Sequence, residues 1–128
     1  MNDQINPQHY KNLEGIDCIE ISRHLNFDLG NSLKYAWRIG HKDPELQELQ
    51  KIRWYLNDCA KYNIPKFSSG AGKKQVIKLI DEHFHHDKKN IIRKSEHNVL
   101  MIIIMVIDGS MGIICANQLV QNLIDELK

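Results

Sequence analysis

Residues 99–107 read VLMIIIMVI, nine apolar side chains in a row with no polar face in either a helix or a strand. As a helix the run reaches about 13 Å, well short of the roughly 20 residues that a bilayer requires. Asp108, Gly109 and Ser110 interrupt any extension. The segment is therefore expected inside protein, covered on every side if helical. A β-strand is the alternative, because Ile and Val favour strands and a short apolar run has no period to decide the matter. A chain of 128 residues supplies such cover most easily by pairing with copies of itself, so a homodimer or larger homo-oligomer is expected.

Elsewhere the periodicity is helical. Glu14 to Leu25 reads as a first helix, with Glu14 and Asp17 near its positive end. A second begins near Leu29 and stops before Asp43 and Pro44, since proline disfavours helix at the residue before it. The third, about Glu45 to Tyr62, carries Leu46, Leu49, Ile52, Leu56, Cys59 and Ala60 on one stripe, and Trp54 opposite that stripe should cover another element or another subunit. Tyr62 to Gly72 breaks the pattern as an internal hinge, and Lys73 to His86 and Ile113 to Leu127 supply two further helices. The expected fold is all-α: a small bundle of five to six helices, with an N-terminal unit over 1–62 and a C-terminal extension over 63–128 packing on it as one compact domain.

Charge narrows the function classes. Lys plus Arg number 17 against 16 for Asp plus Glu, so no global field marks a general nucleic-acid or membrane binder, and neither partner is expected. An anion site must be local. Cys18, Cys59 and Cys115 sit in apolar helical patterns and are odd in number, which points to buried thiols in a reducing cytosol rather than to disulfides or zinc. The polar start MNDQINPQHY has no signal-peptide character, so a cytoplasmic protein is expected.

The best local candidate is GNSLKYAWRIGHK, residues 30–42. At about 100° per residue, Leu29, Leu33, Ala36, Trp37 and Gly40 share one side, while Asn31, Lys34, Tyr35, Arg38 and Lys42 share the other. Three cations, an amide and a phenol within one arc form a surface for an anionic ligand such as a phosphate or nucleotide. The plain alternative is a solvated polar face.

Other motifs fall short. SSGAGKK at 68–74 invites comparison with a phosphate-binding loop, but Phe67 stands where GxxxxGK[ST] needs Gly, and Lys74 where it needs Ser or Thr. His83, His86 and Asp87 share a helical face without a clear further ligand, so no metal site is assigned. Glu14, Asp17, Glu20, Glu45, Glu48 and Asp58 are spaced as on the acidic helices of all-α nucleotide pyrophosphohydrolases, which is also the spacing of a solvated face. Mg²⁺ bound together with a nucleotide would need only one or two of these carboxylates.

The runs NPQHY, GIDCIE, F-x-x-GNSLKYAWRIGHKD and LQKIRWYL resemble the phage-associated domain of unknown function 3310, whose members are often described as nucleotide kinases. The resemblance covers roughly Asn6 to Asp58. Its motif positions include His9, Tyr10, Asn31, Lys34, Tyr35, Arg38, Lys42, Lys51, Trp54 and Tyr55, and the chain departs from the pattern at Asn6 and Gln50. The resemblance implies a phage-encoded protein of the host cytoplasm that handles nucleotides, as a nucleoside monophosphate kinase-like phosphotransferase without a Walker loop. In that picture Lys34 and Arg38 are catalytic, offsetting charge on phosphates. His9, Tyr10, Asn31, Tyr35, Lys42, Lys51 and Tyr55 then contact the ligand. A binding-only protein that sequesters a nucleotide or nucleotide-derived signal is the alternative, and a pyrophosphohydrolase is a second one if carboxylates converge.

Overall fold

The apolar stripe of the third amphipathic segment needs partners on both flanks, and the computed structural model provides them. It describes residues 15–39, 44–84 and 98–128. Six helices occur among them: α1 (Cys18–Ser22), α2 (Phe27–Trp37), α3 (Glu45–Tyr62), α4 (Gly70–Phe84), α5 (Val99–Asp108) and α6 (Ile113–Glu126). The long α3 packs against α2 on one flank and α6 on the other. Helix α5 lies across α2 and α6, and α4 touches α1 and α5. The all-α class holds, and the 99–107 run is a helix rather than a strand.

That helix is covered within one chain. Ile102, Ile103, Ile104 and Val106 are fully buried, and of its ten residues only Met105 and Asp108 are as open as half-buried. The burial of α5 therefore does not call for a second copy. Asn98 caps its start, the Asn98 side-chain oxygen accepting from Leu100 N–H at 3.1 Å, and Gly109 closes its end at φ 89°, where a β-carbon would be strained. Lys66 donates to the Val106 carbonyl at 2.8 Å, a cation on the negative end of α5.

Three boundaries differ from the sequence expectation, each for a local reason. Helix α1 is one short turn, because Asp17 N–H is closed by the Glu20 carboxylate at 2.8 Å and residues after Ser22 are drawn into other bonds. Leu25 pairs with Phe67 in an isolated antiparallel bridge, and Asn26 N–H donates to Lys66 O at 2.8 Å. Asn26 also caps α2, accepting from Leu29 N–H at 2.7 Å and donating to Pro65 O at 3.0 Å, so α2 starts at Phe27 rather than Leu29. Helix α4 starts at Gly70, not Lys73, since the Ser69 hydroxyl accepts from Gly72 N–H at 2.9 Å. The glycines once compared with a phosphate loop are thus the first turn of a capped helix. Among the described residues no helix is long and apolar enough to cross a membrane.

Candidate functional site

Helices α2 and α3 run antiparallel, and their polar edges face each other, in part open to solvent. On α2 the edge is Asp28, Ser32 and Tyr35, continued by Arg38 just past the helix end. On α3 it is Glu48, Lys51, Tyr55 and Asp58, spaced at helical intervals beside the core stripe. Arg38 meets Glu48 at one end of this seam, the two tyrosines meet in the middle, and Asp28 meets Asp58 at the other end.

The cationic end is tightly built. Arg38 donates from Nε to Glu48 Oε2 at 2.9 Å and from Nη2 to Glu48 Oε1 at 3.3 Å. Arg38 is 5% exposed and Glu48 not at all. Lys51 reaches the same carboxylate at 3.5 Å and keeps a side chain about one-third open to solvent. Three cations surround the Tyr35 ring: Arg38 Cζ at 4.7 Å from its centroid, Lys34 Nζ at 5.0 Å and Lys51 Nζ at 5.1 Å.

The middle is aromatic. Tyr35 and Tyr55 stack with centroids 5.9 Å apart and planes 23° from parallel. Phe27 and Trp54 both stand edge-on to Tyr55, at 5.9 and 5.2 Å. Burial first, and then the neighbouring Tyr35 and Asp28, push the Tyr55 phenol above its ordinary range, with Lys51 opposing. A neutral Tyr55 hydroxyl at neutral pH follows.

The acidic end is strained electrostatically. Asp28 is 2% exposed, and burial, the hydrogen-bond contact with Asp58 and the charge of Asp58 push its carboxyl up to about 6. Asp28 Oδ2 and the buried Ser32 hydroxyl have no hydrogen-bond partner among the described residues. No group of three or more His, Cys, Asp or Glu side chains is placed to hold a metal among the described residues.

The sequence candidates divide accordingly. Lys34, Tyr35, Arg38, Lys51 and Tyr55 come together at the seam. Asn31 does not, since its side-chain amide donates to Phe27 O at 2.9 Å on its own helix. His9, Tyr10 and Lys42 lie outside the described residues, as do His85, His86 and Asp87. The helical wheel set Arg38 opposite the core, but α2 ends at Trp37 and Arg38 turns inward to Glu48. Glu48 and Asp58 stand among the six carboxylates whose spacing also fits a solvated face, and Asp28 is a seam residue that the sequence does not single out. The signal was present in the shared spacing of the α3 edge, but periodicity alone does not say which neighbour packs on it.

Residues 5–57 match the family model described as a protein of unknown function, DUF3310. The match spans α1, α2 and most of α3, and hence every seam residue except Asp58. No curated protein and no solved structure matches the chain significantly.

Proposed function

We propose that the chain is a nucleotide-handling protein that holds its ligand's phosphates over the cationic end of the α2–α3 seam. The observation that carries this reading is the trio Lys34, Arg38 and Lys51 within 5.1 Å of one tyrosine ring, with Glu48 the carboxylate set among them. Lys34 and Lys51 are the half-exposed members and supply the mobile donors to phosphate oxygens. Arg38 is 5% exposed and its charge is matched by Glu48, so it braces the cationic end rather than offering a free fork. Tyr35 and Tyr55 give the ligand an aromatic wall. In the catalytic form of the proposal, a nucleoside monophosphate kinase-like phosphotransfer, Lys34 offsets charge that develops on the transferring group and Arg38, through its pair with Glu48, positions the cationic end. In the non-catalytic form the ligand is bound intact and sequestered.

The meeting of Asp28 and Asp58 on facing helices favours a second reading, a pyrophosphohydrolase that uses Mg²⁺ carried in on the nucleotide. Two carboxyls satisfy what such an ion asks of protein. The Mg²⁺ would supply neutralisation of phosphate charge, while Asp58, the more exposed of the pair, would orient it.

One titration separates these outcomes. Nucleoside mono-, di- and triphosphates are added with and without Mg²⁺, binding is read by calorimetry and products by chromatography. ATP turnover that requires a monophosphate acceptor marks phosphotransfer, release of pyrophosphate marks hydrolysis, and tight binding of intact ligand marks sequestration. Unchanged affinity in a folded Lys34→Ala/Lys51→Ala protein would sink the site.

A further inference from the structure

A cleft lies on the flank of α3 that faces α6. Gln50, Arg53, Trp54 and Asn57 line it from α3, and Gln121, Ile124 and Lys128 from α6 and the residues after it, enclosing about 260 Å³. Each set follows helical spacing, so two helix edges make the walls.

Its chemistry is distinct from that of the seam. Trp54 is 61% exposed although its indole packs edge-on against Tyr55, which leaves a broad aromatic surface open at the cleft. Arg53 and Lys128 enter no ion pair among the described residues. The Asn57 side-chain oxygen accepts from Asn117, which orients its amide and leaves its own N–H donors over. The Gln121 amide nitrogen donates to Asp125 at 2.8 Å, leaving its carbonyl as an acceptor. Ile124, 3% exposed, gives an apolar floor. An aromatic face, amides that offer both donors and acceptors, and two cations without an ion pair among the described residues together match a planar base with an attached phosphate.

We propose that this cleft binds a nucleoside phosphate, the base against Trp54 and the phosphate between Arg53 and Lys128. The cations of the cleft are not those of the seam, although Trp54, edge-on to Tyr55, borders both. Lys51 and Arg53 are two residues apart on α3 and so point about 200° apart, which separates the two ligands to opposite flanks of the helix. The ligand of the cleft is thus a second, separately held molecule and not the direct partner of a seam-bound one in phosphoryl transfer.

The four ribonucleoside monophosphates and inorganic phosphate serve as probes on the full chain, read by tryptophan fluorescence and calorimetry. Trp54 is the exposed indole and Trp37 is 5% exposed, but Trp54 also touches Tyr55 of the seam, so the lysine variant is what separates a cleft ligand from a seam ligand. The expected result is saturable quenching by at least one monophosphate, weakened about tenfold or more in Arg53→Gln and in Lys128→Gln, which removes a charge-assisted contact. The Lys34→Ala/Lys51→Ala protein should keep the quenching, whatever becomes of the seam. Absence of quenching by every nucleotide overturns the proposal, as does inorganic phosphate matching the nucleotides in affinity. Loss of quenching in the lysine variant with Arg53→Gln unaffected assigns the signal to the seam and overturns it too. So does a nucleotide-independent change of molecular mass by light scattering in Arg53→Gln, since the cleft would then be a contact between copies.

Discussion

Arg38 and Glu48 form a two-point ion pair from which water is almost excluded, with side chains 6% and 0% exposed. The pair ties the end of α2 to the first turn of α3 across residues 40–43. Both charges have given up hydration, so what holds them is each other and the further contacts of Arg38 and Lys51. Replacing one partner leaves the other buried and uncompensated. Glu48→Gln keeps the shape and removes the charge, and should lower unfolding free energy by about 3 kcal/mol in urea titrations. Arg38→Met/Glu48→Leu should lose less than the sum of its single variants, because the desolvated charges leave together. Additive losses would show that the pair is not coupled. Loss of ligand in an Arg38 variant is then a mixed signal, which is why Lys34 and Lys51 are the cleaner probes of binding.

Lys66 makes a tie between segments 40 residues apart, donating to Val106 O at 2.8 Å in the last turn of α5. Val106 O also accepts the cap N–H of Gly109 at 3.3 Å, so Lys66 fills its second acceptor position, and a cation favours the negative helix end. Lys66→Met keeps the aliphatic stem, so only the bond and charge are removed. A loss of about 1 to 2 kcal/mol is expected by thermal or urea unfolding, and no measurable change would mean that water replaces the ammonium at no cost.

The cores of α3 and α6 were legible because their apolar residues repeat at three and four and are bounded by Pro44 and Gly112. The ends of α1 and α4 were not. They are set by Asn26, which serves the backbone of residues 65–66 as well as α2, and by Ser69, whose cap recruits Gly70 to Gly72 into a helix that their propensity disfavours. The same limit applies to the site. Lys34, Tyr35 and Lys51 could be singled out on their own helices, and the structure joins them. That Arg38 would turn to Glu48, ten residues on, or that Asp28 would meet Asp58, depends on how α2 lies on α3. One helix's period contains no record of its neighbour's register.

The three cysteines should differ in reactivity. Burial pushes the Cys18 thiol up to about 12, the Ser22 contact opposing, and burial likewise raises Cys59, against which the Asn26 side chain lies at 3.5 Å. Cys115 is exposed. At pH 8 an aromatic disulfide reagent should titrate one thiol rapidly in the folded chain and all three after denaturation, and Cys115→Ser should abolish the fast phase. Rapid modification of two thiols in native protein would show that α1 or the end of α3 opens readily.

Asp28 gives the fold a pH dependence of unusual sign for a carboxylate. Its folded value of about 6 lies above the ordinary 3.8, so the native state binds the proton more tightly than the unfolded chain does. The group costs nothing well below pH 3.8, where it is protonated in both states. Its penalty grows as pH rises from about 4 to 6 and is complete above that, to a limit of about 3 kcal/mol for a shift of about two pH units. Asn in its place has the same outline and no charge to bury or to set against Asp58. Relative to the parent chain, Asp28→Asn should therefore gain about 2 to 3 kcal/mol more at pH 8 than at pH 4, read from urea midpoints at both values. A stability difference that stays constant between those pH values would show that Asp28 is ionised and compensated in the native seam. The same variant bears on function. If Asp58 orients nucleotide-borne Mg²⁺ with Asp28 at its side, nucleotide affinity falls in Asp28→Asn only when Mg²⁺ is present. If the phosphates rest on Lys34 and Lys51 alone, affinity is unchanged with or without the ion while the gain in stability remains.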